Sequence, residues 1–231
     1  MALEGMLLFS ALFGVIFSSL THSFLGGLLI TMVIGGLIGF FLAFFILQLK
    51  TDEILAAIAL NLIATGGTVL LMLAVSGDRG ASTSISSVSA PTVYIPMVAQ
   101  IPFLGKVLSG QNLMTWLSLI AVVVVHIFLY KTPMGLKIRA VGENKNAAES
   151  VGITITKYKL MAFSISAALA GVAGVLYAHN LSTLTALPKN FGYNMSIMIL
   201  VFVVLGGIGN IRGSIIAAVL LTMLPELLRG L

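Results

Sequence analysis

The sequence predicts an all-α protein that crosses a membrane repeatedly, a bundle of about six spans followed by a C-terminal half-span. Three observations lead there. Of the 231 residues, 59% are hydrophobic and only 8% are charged, where a soluble domain carries about 25% charged residues. The chain has a mean hydropathy of +1.14, and its apolar residues fall into uncharged runs close to the ~20 residues that cross a bilayer as a helix. Finally, six of the 12 basic residues (Lys131, Lys137, Arg139, Lys145, Lys157 and Lys159) lie together in residues 131–159. Clustering of this kind follows the bias of Lys and Arg toward cytoplasmic loops. A nucleic-acid surface would instead spread them along a face with interleaved aromatics, so no nucleic-acid partner is expected. The chain has no cysteine, which excludes disulfides, thiolate metal sites and cysteine nucleophiles.

Residues 6–20 form a short first span, ended by Thr21, His22 and Ser23. The segment before it lacks a basic n-region and contains Glu4, so the span reads as retained rather than cleaved. Residues 24–49 run for 26 positions without a charge and must tilt or kink to fit. Lys50, Thr51, Asp52 and Glu53 make a tight polar link to a third span, residues 54–76. Residues 77–111 change character: their Gly, Ser, Thr and Pro mark a loop, and Tyr94, Pro96, Ile101, Pro102 and Phe103 lay its second half on the bilayer surface. A fourth span covers residues 113–130 and a fifth residues 160–178. A polar loop at residues 179–193 leads to a sixth span beginning at residues 195–207. The last apolar stretch, residues 215–224, stops at Pro225 and Glu226 and is too short to cross alone. With residues 131–159 in the cytoplasm, Lys50 and Arg212 fall there too. Residues 76–112 then form an external loop, and the whole chain is a single transmembrane domain.

Lipid offers no hydrophobic drive for helix association, so small residues set the contacts. The second span carries Gly26, Gly27, Gly35, Gly36 and Gly39; the fifth carries Ser164, Ala167, Gly171 and, on an adjoining face, Ala170 and Gly174. These serve either fixed packing or helices that slide during transport. No acid or base stands at the centre of a span, which leaves an ion-coupled transporter without its usual residues. His126 reads as a packing or interfacial residue. Asn61, Thr65 and Thr68 form a polar stripe along the third span, its spacings of four and seven keeping one face. The stripe either lines an aqueous path or makes interhelical hydrogen bonds. Asn194 and Ser196, at the outer end of the sixth span, pose the same alternative. The glycine run LGGIGNIRG, residues 205–213, lacks the Gly-Lys-Ser/Thr ending of a phosphate loop and has no strand before it. It reads as a cytoplasmic turn. No nucleophile–base pair or carboxylate pair is present within the spans, so no enzymatic activity, metal or cofactor is expected.

Residues 131–159 divide in three. Lys131 to Gly135 turns the chain out of the membrane. Leu136 to Val141 is an amphipathic run-in. Gly142, Glu143 and Asn144 then cap a short helix from Lys145 that Gly152 stops. Ala147, Ala148 and Val151 share one face of it. A helix of two turns is unstable alone in water, so it makes sense as a docking element fitted to a partner's groove.

At this point the sequence resembles a known family. GLKIRAVGENKNAAESVGI, preceded by YKTPMG and followed by KYKLMAFSISAALAGVAGVLYA, is similar to permease subunits of bacterial ABC importers for branched-chain amino acids, simple sugars and nucleosides. The likeness runs from about residue 3 to the end and is strongest over residues 131–178. It implies that the alanine-bearing segment is the coupling helix that sits in a cleft of the ATPase. The matching positions are Gly142, Glu143, Asn144, Ala147, Ala148 and Gly152. It also implies two permease subunits, two ATP-binding cassette ATPases that hydrolyse the ATP, an extracytoplasmic substrate-binding protein, and a multi-pass place in the bacterial plasma membrane. EGML, TDEILAAIALNLIA and IPFLGKVLSGQN resemble the nucleoside and simple-sugar branch, whereas AFSISAALAGVAGVLYAH and VVLGGIGNIRGSIIAAVLLTMLPELLR resemble the amino-acid branch. The front and the coupling loop agree, so nucleosides or simple sugars are expected, with branched-chain amino acids as the alternative. Family members have further spans at both ends, so the chain is expected to be incomplete relative to them. A reading of another class is an ATP-independent channel or facilitator, for which the lack of embedded charge is no obstacle.

Overall fold

The computed structural model describes residues 2–77, 92–93, 111–180 and 193–229. Nine helices occupy most of these: α1 (Leu3–Thr21), α2 (Phe24–Gln48), α3 (Glu53–Ser76), α4 (Leu113–Lys131), α5 (Pro133–Glu143), α6 (Lys145–Ser150), α7 (Ile155–Asn180), α8 (Tyr193–Gly206) and α9 (Ile211–Arg229). One antiparallel pair of two-residue strands, β1 (Thr92–Val93) and β2 (Gln111–Asn112), precedes α4. The rest of the expected external loop, and most of the loop expected at residues 179–193, lie outside the described residues. His179 itself belongs to α7.

Among the described residues six helices, α1, α2, α3, α4, α7 and α9, are long and apolar enough to cross a membrane. The expected count therefore holds, but the short element is a different one. Met195–Gly206, within α8, is the shorter apolar helix, while the C-terminal stretch is a 19-residue helix that runs through Pro225 to Arg229. Reading the proline as a stop overlooked that it removes one ladder hydrogen bond and need not end a membrane helix. Counting from residue 215 also missed the first turn, where the Asn210 side chain accepts a hydrogen bond from the Gly213 amide (3.3 Å).

The core is the crossing of α1, α2 and α7, and glycine makes it. At Gly35 an added Cβ would lie 2.7 Å from the Ala167 carbonyl oxygen and 3.3 Å from Ala168 Cα; at Gly27 it would lie 2.6 Å from the Gly14 carbonyl. The partners reveal direction. Gly35 meets Ala167 and Gly39 meets Phe163, so α2 and α7 are antiparallel; Leu7 meets Gly174 and Ser18 meets His179, so α1 and α7 run the same way. Both agree with the alternation predicted from the basic residues. Leu8, Ala11, Leu12, Val15 and Val175 fill the centre, all buried. Close backbone approach of this sort is how membrane helices gain dispersion contact when the hydrophobic effect is absent. By contrast Met114 is the one buried residue of α4, whose other positions are half-buried or exposed, and α9 has no buried residue in its spanning window. Their apolar surfaces, Val122 to Val124, Leu220, Met223 and Leu224 among them, face outward from the chain.

Candidate functional site

The cytoplasmic-type loop is more helical than the sequence reading held. Lys131 to Gly135 is not a free turn. Thr132 caps α5, its hydroxyl oxygen accepting from the Gly135 amide (3.1 Å), and Pro133 takes the first helical position, where its missing N–H costs nothing. Gly135 is required there by space: a Cβ would overlap the Phe128 carbonyl and Leu129 backbone where α4 turns into α5. α5 absorbs the amphipathic run-in and continues through Gly142 to Glu143, whose carboxylate lies 3.8 Å from Arg139.

Asn144 separates the two helices. Its backbone N–H closes α5 on the Ala140 carbonyl, while its side chain accepts from the amides of Asn146 and Ala147, both at 3.1 Å. α6 ends in the manner its glycine requires. Gly152 adopts φ +81°, its N–H bonds Glu149 O (2.9 Å), and Ile153 N–H bonds Ala148 O (3.1 Å), the paired bonds of a Schellman cap. The expected docking face is split. Ala147 and Val151 are exposed, Val151 at 77%, but Ala148 is buried at 3%. Ala148 packs within this chain, and only its neighbours are open to a partner. Asn144→Ala is expected to lose the cap, about 1 kcal/mol by analogy with other helices. It should raise amide hydrogen exchange across α6 with no change in α7.

The polar stripe has mixed commitments. Asn61 Oδ1 accepts from the Gly5 amide at the start of α1 (2.9 Å), and Thr65 donates to the Asn61 carbonyl (2.8 Å). Thr68 is fully buried and its hydroxyl has no partner among the described residues; the same holds for the enclosed hydroxyl of Ser196 in α8. Asn194 lies in the first turn of α8. Two cavities among the described residues, about 540 Å³ lined by α1, α2 and α3 and about 600 Å³ between α2, α4 and α7, have almost wholly apolar walls and include none of the five.

Sequence reasoning missed a polar clasp at the far end of the bundle. His179 in α7 is buried, with Nδ1 3.0 Å from the Val175 carbonyl and Nε2 3.3 Å from Ser18 Oγ in α1. A carbonyl only accepts, so Nδ1 carries the proton; in the neutral ring Nε2 then accepts from the Ser18 hydroxyl. Phe24 of α2 meets the imidazole edge-on at 5.2 Å. A histidine at the edge of an apolar run gives no sign of this; only the crossing of three helices does. His126, read as packing or interfacial, stacks on Tyr130 with ring centres 4.7 Å apart.

The comparison with known proteins decides the family. The model described as branched-chain amino acid transport system / permease component matches residues 1–231. The chain belongs to this permease family. Among its relatives, a protein of Haloferax volcanii provisionally named a glucose ABC transporter permease is 29% identical over 178 residues, covering 75% of the permease and 52% of the relative. The guanosine ABC transporter permease of Bacillus subtilis is 30% identical over 187 residues, 78% of the permease and 58% of the relative. A high-affinity branched-chain amino acid permease of Salmonella typhimurium is 36% identical over 133 residues, 55% and 31% of the two chains. The permease spans about half the length of the first two relatives. No solved structure matches it. Family membership and its six long apolar helices make the permease a multi-pass membrane protein.

Proposed function

We propose that the permease forms part of the membrane pathway of an ABC importer in the plasma membrane, carrying nucleosides or simple sugars by alternating access. The observation that carries this reading is α6. It is a capped helix too short to stand alone, set between two membrane helices, with Ala147 and Val151 turned outward. An ATPase groove would supply the missing contacts. Two permease subunits, two ATPases and an extracytoplasmic binding protein complete the proposed assembly, with the loop of residues 131–159 on the cytoplasmic side and residues 76–112 outside. Closure of the ATPase dimer would move α6 and, through α5 and α7, rock the helices around the pathway. All hydrolysis would occur in the partners.

Thr68 and Ser196, whose hydroxyls have no partner among the described residues, are better supported as pathway residues than Asn61 and Thr65, which use their polar atoms within the chain. The relatives named for guanosine and glucose support the substrate class. Branched-chain amino acids are the second reading, favoured by the higher identity to the Salmonella relative. The test is affinity purification from native membranes, followed by uptake of labelled nucleoside, hexose and leucine. Recovery of an ATP-binding cassette subunit with ATP-dependent uptake is expected. Uptake by the purified permease without any ATPase would instead establish a facilitator.

A further inference from the structure

Among the described residues, the α8–α9 hairpin touches the other helices little. α9 has no buried residue in its spanning window, and α8 reaches the core through the partly buried Ile199. Its turn, residues 207–210, is held elsewhere. The Tyr130 hydroxyl at the end of α4 donates to the Gly209 carbonyl at 2.9 Å, across 79 positions of sequence. Gly207 (φ +90°) and Gly209 (φ +86°) bend the turn so that it presents that carbonyl. The same tyrosine ring carries the Arg139 guanidinium of α5 at 4.3 Å from its centre and stacks on His126. Arg139 in turn neighbours Glu143, the residue before the α6 cap. A continuous set of contacts therefore runs from the cap of α6 through Arg139 and Tyr130 to the α8–α9 turn.

We propose that Tyr130 is a positioning residue, which transmits displacement of the docking helices to the α8–α9 hairpin. The inference rests on the transport reading above, since it needs a partner that moves α6. Its physical basis is that a hydrogen bond to a backbone carbonyl fixes the turn without depending on which side chains the turn carries. The aromatic face meanwhile binds the cation of the moving element. Two elements that touch little otherwise are thus joined at one residue, and joined on the side where α6 lies. Without the tether, α5 and α6 could move while the hairpin stayed.

Tyr130→Phe is the informative change, because it keeps the ring for Arg139 and His126 and removes only the donor. The chain has no cysteine, so spin labels placed by Asn146→Cys and Ile208→Cys, both at exposed positions, report one distance. The labelled permease would be measured alone in lipid nanodiscs and again with its co-purified ATPase. The parent should give one narrow distance that shifts on adding ATP with vanadate, and Tyr130→Phe a broadened distance without that shift. Uptake per ATP hydrolysed should fall at least fivefold, the scale of one lost hydrogen bond acting as coupling, at unchanged yield and ATPase recovery. Arg139→Gln, which keeps the tether but removes the cation over the ring, should give an intermediate loss. An unchanged distance or unchanged uptake ratio in Tyr130→Phe would overturn the inference. If the parent chain recovers no ATPase, the transport reading fails instead, and the nanodisc distances still judge the tether by themselves.

Discussion

Gly39→Leu is expected to eliminate folded permease from the membrane. A Cβ at position 39 would overlap the Ala167 side chain and come to 2.7 Å from the Phe163 carbonyl and 3.2 Å from Ser164 Cα. Two of those three obstacles are backbone, so no rotamer change relieves them. α2 and α7 would have to separate, and among the described residues they share the most extensive helix contact. In water a displaced core can still gain from hydrophobic burial. In lipid the exposed surfaces are already in hydrocarbon, so the lost dispersion contact is not recovered. Overpacking costs about 1–3 kcal/mol in ordinary cores; with backbone on both sides the loss should reach or exceed the upper end of that range. The measurement is the monodisperse fraction in mild detergent together with the melting temperature. Gly36→Ala is the control, because its Cβ would meet nothing closer than Ala168 Cβ at 3.7 Å. That variant should stay within about 0.5 kcal/mol of the parent. Equal yields for Gly39→Leu and Gly36→Ala would refute the packing account.

Ala147→Arg and Ala148→Arg are expected to fail in different ways. Ala147 is exposed on α6, so arginine there leaves the fold intact and projects a charged side chain into whatever groove receives the helix. Loss of ATPase co-purification should exceed tenfold, in line with the cost of placing an unpaired charge in a packed interface. Ala148 is 3% exposed, and its carbonyl closes the Schellman cap with Ile153. Arginine at 148 has no room, and α6 should come away from the chain, visible as rapid hydrogen exchange from Asn144 to Gly152 even before any partner is added. Ala147→Ser, smaller and neutral, should capture the ATPase at parental level. If Ala147→Arg captures it fully, α6 is not the docking element.

Much of this protein was legible in order of hydropathy. Spans one to five appear within a few residues of their expected limits, because an uncharged apolar run of ~20 residues has few stable alternatives to a helix in lipid. Asn144 as a cap and Gly152 as a stop were readable too, since both act within one turn on backbone groups a few positions away. The readings that moved depended on context. Pro225 marks a helix end by its local chemistry, yet α9 carries it. Thr132-Pro133 suits a turn, but a Thr followed by Pro is also how a helix begins.

The sequence by itself determined the membrane class, the number of long apolar helices and the capped helix in the basic loop. Each follows from local chemistry: hydropathy, side-chain capping and glycine's access to positive φ. Only the tertiary structure decided how those parts are used. It separated buried Ala148 from exposed Ala147, turned Gly35 and Gly39 toward α7, committed Asn61 to the Gly5 amide, and joined Tyr130 to Gly209 and His179 to Ser18. Those outcomes depend on which helix lies beside which, and in a chain that is apolar on nearly every face, hydrophobic periodicity carries little record of the neighbour.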